Sequence, residues 1–495
     1  MPLCHMKGPL CPDEISLLRK LKLATDMLLL SDNELLSVCD SLDRELNLAL
    51  TTNNGNPALL HVYPTFIDQI PNGCERGQYL ALDLGGTNFR VLLVKLESNR
   101  ESVVTTHTYP ISNSLMTGES EDLFDYIALC LYEFVQEMKL LSKKLMLGFT
   151  FSFPCIQKSR KEAILTKWTK GFSCPDAVGK DIGQLLNRSI SKFKQLQVQV
   201  AAIVNDTTGT LISCAYQQPA CRMGVIVGTG VNICYMETKE LPKPMIVNTE
   251  LGAFGSRNNS LDFIRTDWDL QVDATSINSG QQVFEKMVSG MYLARIVSAI
   301  LVKFVELKLI SRRVFGQFRP LDRFTSSLIS RVDMDLLCPD YLGEKFYTED
   351  GLYQNTLYAF SRLGIQCVKV IDCKILQLVC SRVSRRSAHL TSAVVTSLLL
   401  RMDRQFTVIG VDGSVYRCHP DYRNEMKRTI THLLALKGAT HIKFELMLSE
   451  DGSGRGAALV AAISSESDQQ QTKNQPCSQC KSNISPKCRL CEVMA

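Results

Sequence analysis

The stretch Leu80-Ala81-Leu82-Asp83-Leu84-Gly85-Gly86-Thr87-Asn88-Phe89-Arg90-Val91-Leu92-Leu93-Val94 constrains this chain more than any other. Two apolar runs flank the insert 83–88. They alternate well enough to predict a β-hairpin that turns at the paired glycines. Glycine leaves backbone N–H groups uncovered, so a polyphosphate can approach closely. Thr87 and Asn88 add side-chain donors. Asp83 ends the first strand, where it suits a Mg2+ ion held through its water shell. An ordinary Gly-Gly turn is the plain alternative, because short glycine motifs recur by chance.

A chain of 495 residues is long for one core, which predicts two or more domains. Hydrophobic residues make up 45% and charged residues 21%, the balance of a soluble globular protein. The formal net charge of +5 has no long basic run behind it, which argues against a nucleic-acid partner. The 19 cysteines are an odd number, widely spread. Cys130, Cys214 and Cys234 sit singly among apolar neighbours and read as buried thiols in a reducing compartment. The first residues carry no apolar leader, and the uncharged stretch 387–400 is too short and Ser/Thr-rich to span a bilayer. The expectation is a cytoplasmic protein without a membrane span.

Residues 1–13 read as a loose leader. Ser31 and Glu34 fit a capping box, and Leu35, Val38, Leu42 and Leu46 form one helical face. Residues 53–57 are a loop. Strands are predicted at 144–153, 198–204, 224–227, 231–235, 406–411 and 441–448, with a mostly helical middle at 281–400. Strand, glycine turn and helix therefore recur in both halves, which predicts two α/β units with a ligand site between them. An Ala-rich helix should run to residue 463. From Ser464 the composition has little to bury, so 464–495 is predicted to be a disordered, Cys-rich tail.

Three further segments carry chemistry. One is Ser152-Phe153-Pro154 followed by Trp168-Thr169-Lys170-Gly171-Phe172. Another is Asn205-Asp206-Thr207. The third is Gly228-Thr229-Gly230-Val231-Asn232, with Asn248-Thr249-Glu250 beyond it. In these segments and their order the chain resembles the hexokinase family over roughly residues 14–463. The resemblance implies an actin-like, ribonuclease-H-like fold with two lobes, 14–207 and 208–463, and a site in the cleft between them. It implies transfer of the ATP γ-phosphoryl group to the 6-hydroxyl of a hexose, glucose first and then fructose or mannose, by a monomer using ATP and Mg2+. Asp206 matches the family's catalytic base, which must lie within hydrogen-bond reach of the attacking hydroxyl; by itself it could equally be a helix N-cap. Lys170 matches a substrate-side lysine whose charge aids the reaction. Ser152, Thr169, Lys170, Asn205, Asp206, Asn232, Glu250 and Glu285 match the sugar ligands. Without the resemblance, Glu285 would read as a solvated helix-face carboxylate and Lys170 as a surface lysine. For nucleotide, Asp83, Leu84, Gly85, Gly86, Thr87 and Asn88 match the first phosphate turn, and Gly228, Thr229 and Gly230 the second. Asp412, Gly413 and Ser414, and then Gly452 and Ser453, match the remaining nucleotide loops. Asp83 falls on the Mg2+ side. The lobes are expected to close on the sugar, since water competes as nucleophile.

The surroundings depart from the family pattern. Val231 stands where a small hydroxyl residue is usual, and Leu251 where Trp is usual. Arg160-Lys161 replaces an apolar–acidic pair, and Ser256-Arg257-Asn258-Asn259 replaces an Asp-Asn-Gly-type loop. These changes make a catalytically weak sugar sensor the alternative function. The tail carries Cys477, Cys480, Cys488 and Cys491 as two Cys-x-x-Cys pairs, a zinc-ligand pattern with an unusually short gap between pairs. A metal-free tail is the expectation there, with zinc, disulfide cross-linking or acylation as alternatives.

Overall fold

A computed structural model describes residues 10–51, 60–85, 88–319, 323–336 and 353–473. In chain order its strands are β1 (Tyr63–Pro64), β2 (Gly77–Leu84), β3 (Asn88–Leu96), β4 (Ser102–Pro110), β5 (Leu145–Phe151), β6 (Cys155–Ser159), β7 (Glu162–Leu165), β8 (Val198–Val204), β9 (Cys221–Val227), β10 (Val231–Glu237), β11 (Met245–Asn248), β12 (Phe406–Asp412) and β13 (Lys443–Leu448). The predicted hairpin is β2–β3, with Asp83 opposite Arg90 and Leu84 opposite Phe89.

Two sheets repeat one plan. The smaller has the order β4-β3-β2-β5-β8. Its first three strands are an antiparallel meander, and β2, β5 and β8 are parallel. The larger has the order β1-β11-β10-β9-β12-β13. There β11, β10 and β9 form the meander, while β9, β12 and β13 are parallel. The parallel strands β2, β5, β8, β9 and β12 are largely buried, which suits their apolar runs, whereas the edge strand β13 buries only Leu446.

Helices join the two sheets by exchange. The helix Asp206–Gln217 leaves the end of β8 yet packs on β9 and β12 of the larger sheet. The helix Gly452–Lys473 follows β13 yet packs on β2 and β5 of the smaller sheet. The two helices cross, and their shared core contains Ala202, Val204, Leu211, Cys214, Ala457 and Leu459. Backbones touch at this crossing: a Cβ on Gly456 would fall 2.0 Å from the Gly209 carbonyl oxygen. The segments nearest the N-terminus belong to the larger sheet's core, through Leu21, Leu35, Val38, Leu42 and Leu46. The capping box is present, with Ser31 N–H donating to Glu34 Oε2 at 2.7 Å.

The C-terminal helix runs past the predicted boundary. It continues to Lys473, ten residues into the segment read as disordered from Ser464. Ser, Glu and Gln cost a helix little, and elongating an existing helix is far easier than starting one. Among the described residues, no helix is long and apolar enough to cross a membrane. Gly86 and Thr87 of the first phosphate turn, and the tail cysteines Cys477, Cys480, Cys488 and Cys491, lie outside the described residues.

Candidate active site

The chemistry-bearing residues gather at the carboxyl ends of the parallel strands, where open α/β sheets place ligands. Asp83 is the penultimate residue of β2, Ser152 follows β5, and Asn205-Asp206 follows β8. Gly228-Thr229-Gly230 links β9 to β10, Asp412 ends β12, and Gly452-Ser453 follows β13. Their common edge is therefore a product of sheet order.

Asn205 and Asp206 divide two roles that the sequence left open. Asn205 is the N-cap, its Oδ1 accepting from Thr208 N–H at 2.9 Å and from Thr207 Oγ1 at 3.1 Å. Its Nδ2 is buried without a protein partner, in the wall of a pocket shared with Phe153, Cys155, Asn248 and Glu250. A buried amide donor of this kind suits a substrate oxygen. Asp206 opens the helix, and its Oδ1 accepts from Thr207 N–H at 2.9 Å. Burial pushes its carboxyl above the ordinary range; Lys170 opposes the shift, while the charges of Asp83 and Asp412 add to it. A carboxylate made more basic in this way is suited to accept a proton.

Lys170 holds a left-handed backbone, φ 55°, and its Nζ donates to the Ser152 carbonyl at 2.9 Å. The two halves of the sugar-matching segment are thereby tied together. An aromatic cluster carries them: Phe153 meets Trp168 edge-on at 4.9 Å, and Trp168 stacks on Phe172 at 5.5 Å.

The opposite wall is a chain of hydrogen bonds. Asn232 Nδ2 donates to Asn248 Oδ1 at 2.8 Å, and Asn248 Nδ2 donates to Glu250 Oε1 at 2.7 Å. Burial raises the Glu250 carboxyl, against the bond from Asn248. Glu285, on the short helix Val283–Val288, accepts from Val231 N–H at 3.1 Å. Burial first, and then the charge of Glu250, push Glu285 up to about 7, against the Val231 N–H bond and the charges of Lys170 and Lys167. It is therefore not a solvated helix-face carboxylate.

The departures from the family pattern fall away from these donors. Val231 is buried in the larger lobe's core, and only its backbone N–H faces Glu285. Leu251 is likewise in that core, its N–H donating to Asn232 Oδ1 at 3.2 Å. Arg160-Lys161 is the turn between β6 and β7. Ser256 Oγ accepts from Val283 N–H at 3.1 Å and so supports the helix bearing Glu285.

On the nucleotide side the turn 228–230 and the loop at Gly413 lie side by side. Gly413, with φ 109°, approaches Val227 and Gly228 so closely that a Cβ there would fall 2.4 Å from the Val227 carbonyl. Gly228 O accepts from Gly290 N–H at 2.8 Å, anchoring the second turn to the helix Gly290–Glu306. Asp83 Oδ2 pairs with the Arg90 guanidinium and accepts from Ser453 Oγ at 2.8 Å, while Arg90 Nη1 donates to Asp451 Oδ1 at 2.7 Å. Among the described residues, no three His, Cys, Asp or Glu side chains form a metal cage. Mg2+ usually keeps several waters and binds through one or two carboxylates plus phosphate oxygens, so Asp83, whose charge together with that of Asp412 acts on Asp206, fits such an ion even while its Oδ2 is held by Arg90 and Ser453.

Asn248 and Arg90 stand in the quoted segments without a role of their own, and Lys167 lies outside them. Arg90 had a signal, since the hairpin register sets it opposite Asp83. Asn248 gains its neighbours from the pairing of β10 with β11, which no local pattern specifies.

Two topologically matched α/β lobes, joined by exchanged helices around a carboxylate-lined cleft, define a protein of the two-lobed sugar-kinase, actin-like class. Family models described as hexokinase match residues 20–216 and 222–463. The chain belongs to the hexokinase family. It is 39% identical to a hexokinase of Schistosoma mansoni over 435 residues, covering 86% of this chain and 92% of that one. It is 38% identical to hexokinase-1 of Homo sapiens over 450 residues, covering 88% of this chain and 47% of that one. The chain thus spans about half the length of the hexokinase-1 relatives it matches. Among solved structures, the Schistosoma mansoni hexokinase complexed with glucose superposes with a TM-score of 0.80 at 36% identity, covering 91% of this chain and 99% of that one. A second hexokinase crystal structure gives 0.78 at 29% identity, covering 91% and 100%.

Proposed function

We propose that this chain transfers the ATP γ-phosphoryl group to the 6-hydroxyl of a hexose, with glucose as first substrate and fructose and mannose as further candidates. The observation that carries the reading is Asp206, a buried carboxylate made more basic at a strand end, facing Lys170 and the Asn232–Asn248–Glu250 chain. Glucose in the related Schistosoma structure supports the substrate class.

In this reading Asn205, Asn232, Glu250 and Glu285 bind the sugar hydroxyls with Ser152 and Thr169. Asp206 accepts the proton of the attacking 6-hydroxyl, and Lys170 offsets negative charge beside it. The glycine turns 85–88 and 228–230, with Asp412, Gly413, Ser414, Gly452 and Ser453, cradle the nucleotide. Asp83 would hold Mg2+ through its water shell, and the ion would supply charge neutralisation on the nucleotide phosphates. The chain passes from the smaller to the larger lobe at the helix Asp206–Gln217, close to residues 207 and 208, although Leu21, Leu35 and Leu46 already pack in the larger lobe, and the protein acts as a cytoplasmic monomer. Free thiols such as Cys39, Cys130 and Cys214 suit a reducing compartment.

The sensor alternative is not favoured, because the family-divergent residues leave the polar groups of the cleft in place. The deciding assay is phosphorylation of glucose, fructose and mannose with Mg-ATP, run beside Asp206→Ala. The expected result is activity in the wild type and a fall of roughly 10²- to 10⁴-fold in kcat for the variant, the usual contribution of a positioned base. A wild type that binds glucose but turns over no better than the variant would establish the sensor instead.

A further inference from the structure

One cation in the cleft belongs to neither set of matched residues. Lys167 lies in the small-lobe segment between β7 and Trp168, three residues before Lys170. Its Nζ donates to Gln281 Oε1 at 3.4 Å. Gln281 belongs to the larger lobe, just ahead of the helix that carries Glu285. The contact therefore spans the cleft.

Both ends are anchored. On the large-lobe side, buried Lys286 donates to Asp273 Oδ1 at 2.6 Å and to the Asn278 carbonyl at 2.9 Å. Gly280 N–H also donates to Asp273, and Gln281 N–H donates to the Asn278 carbonyl at 3.0 Å. The loop offering Gln281 is thus stapled to its own lobe. On the small-lobe side, Trp168 fixes the neighbouring backbone: its Nε1 donates to the Cys174 carbonyl at 2.6 Å, and its ring is held between Phe153 and Phe172. The Lys167 charge also acts on both cleft carboxylates, Glu250 and Glu285. Lys167 is half-buried and its contact with Gln281 is solvent-exposed, so what sets it apart from a free surface lysine is that its charge also acts on the two buried carboxylates.

We propose that Lys167 is a closure-positioning residue, tying the small lobe to Gln281 of the large lobe and placing a positive charge over the Glu250–Glu285 pair when a hexose lies between them. The inference rests on the hexose-kinase reading. A bond made equally in the closed ground state and the transition state lowers KM without raising kcat. Lys167 should therefore tune sugar affinity and leave turnover alone.

The test uses the full chain and four variants: Lys167→Met, Lys167→Arg, Gln281→Leu, and the double variant Lys167→Met/Gln281→Leu. Glucose phosphorylation is followed at saturating Mg-ATP. Lys167→Met should raise the glucose KM about five- to tenfold, in line with loss of one solvent-exposed hydrogen bond of ordinary strength, with kcat within about twofold. Lys167→Arg should recover most of the affinity. The double variant should be no worse than Lys167→Met, because both changes remove the same contact. An unchanged KM in Lys167→Met, or strictly additive losses in the double variant, would overturn the inference while leaving the kinase reading intact. A wild type inactive on every hexose would overturn the kinase reading and this inference with it.

Discussion

Gly456→Ala probes the helix crossing that holds the two lobes in register. A methyl group there would sit 2.0 Å from the Gly209 carbonyl oxygen and 2.4 Å from the Gly209 Cα. The obstructing atoms are backbone, so no rotamer change can clear them. Ordinary contact requires the helices Asp206–Gln217 and Gly452–Lys473 to part by roughly 1 Å or more. Overpacking of this kind costs about 1–3 kcal/mol, and the helix-propensity gain of Ala over Gly returns at most about 1 kcal/mol. A net loss of about 1–2 kcal/mol is expected as a lowered urea midpoint. The larger effect is on catalysis. Asp206 is the first residue of the displaced helix. A misplacement of about 1 Å at a reacting group can cost about 10²-fold, so kcat/KM for glucose should fall about ten- to a hundredfold. Urea unfolding together with steady-state phosphorylation measures both. If Gly456→Ala keeps its urea midpoint and its kcat/KM within about twofold of wild type, the crossing does not position Asp206 and the reasoning fails.

If Glu285 binds the sugar as proposed, sugar binding should be pH-dependent. Its carboxyl is pushed up to about 7, so protonation should raise the glucose KM as pH falls through about 7, and Glu285→Gln should flatten that limb at the expense of affinity. The sign for stability is the reverse. A carboxyl raised in the folded state costs the sugar-free protein stability as pH rises from the ordinary carboxylate range through about 7. Glu285→Gln should therefore unfold later than wild type at pH 8 and alike at pH 4, as read by thermal melts without ligand. Asn248→Ala removes the donor to Glu250 and the acceptor of Asn232. It should raise the glucose KM about tenfold with a smaller change in kcat, the scale of one buried hydrogen bond to a charged group. An Asn248→Ala enzyme with wild-type KM would show that Glu250 is oriented by other groups.

Much of the fold was legible because its signals are local. The 83–88 insert between apolar flanks, the capping box at Ser31, and the alternating strands are set by residues within a few positions of one another. The C-terminal helix was less legible. Polar composition past Ser464 predicted disorder, yet ten further residues extend a helix already nucleated by a buried Ala-rich segment. The exchange of helices between the sheets was not legible at all, since it depends on the contact of Gly209 with Gly456, 247 positions apart in the numbering.

The sequence alone determined which residue types could do the chemistry, and the strand ends that would present them. Asp83, Asp206 and the glycine turns follow from short-range patterns of apolar runs and breakers. Tertiary structure decided how those groups behave. Asn205 rather than Asp206 caps the helix, because the Asn205 side chain reaches Thr208 N–H. Asp206 is then left facing Lys170, Asp83 and Asp412. Val231 and Leu251 drop into the larger core, because strand alternation and the turn after β11 aim them away from the cleft. Glu285 changes from a helix-face acid into a buried one near neutrality, through burial and the neighbouring Glu250. Burial and charge proximity are sums over distant segments, so no reading of adjacent residues contains them.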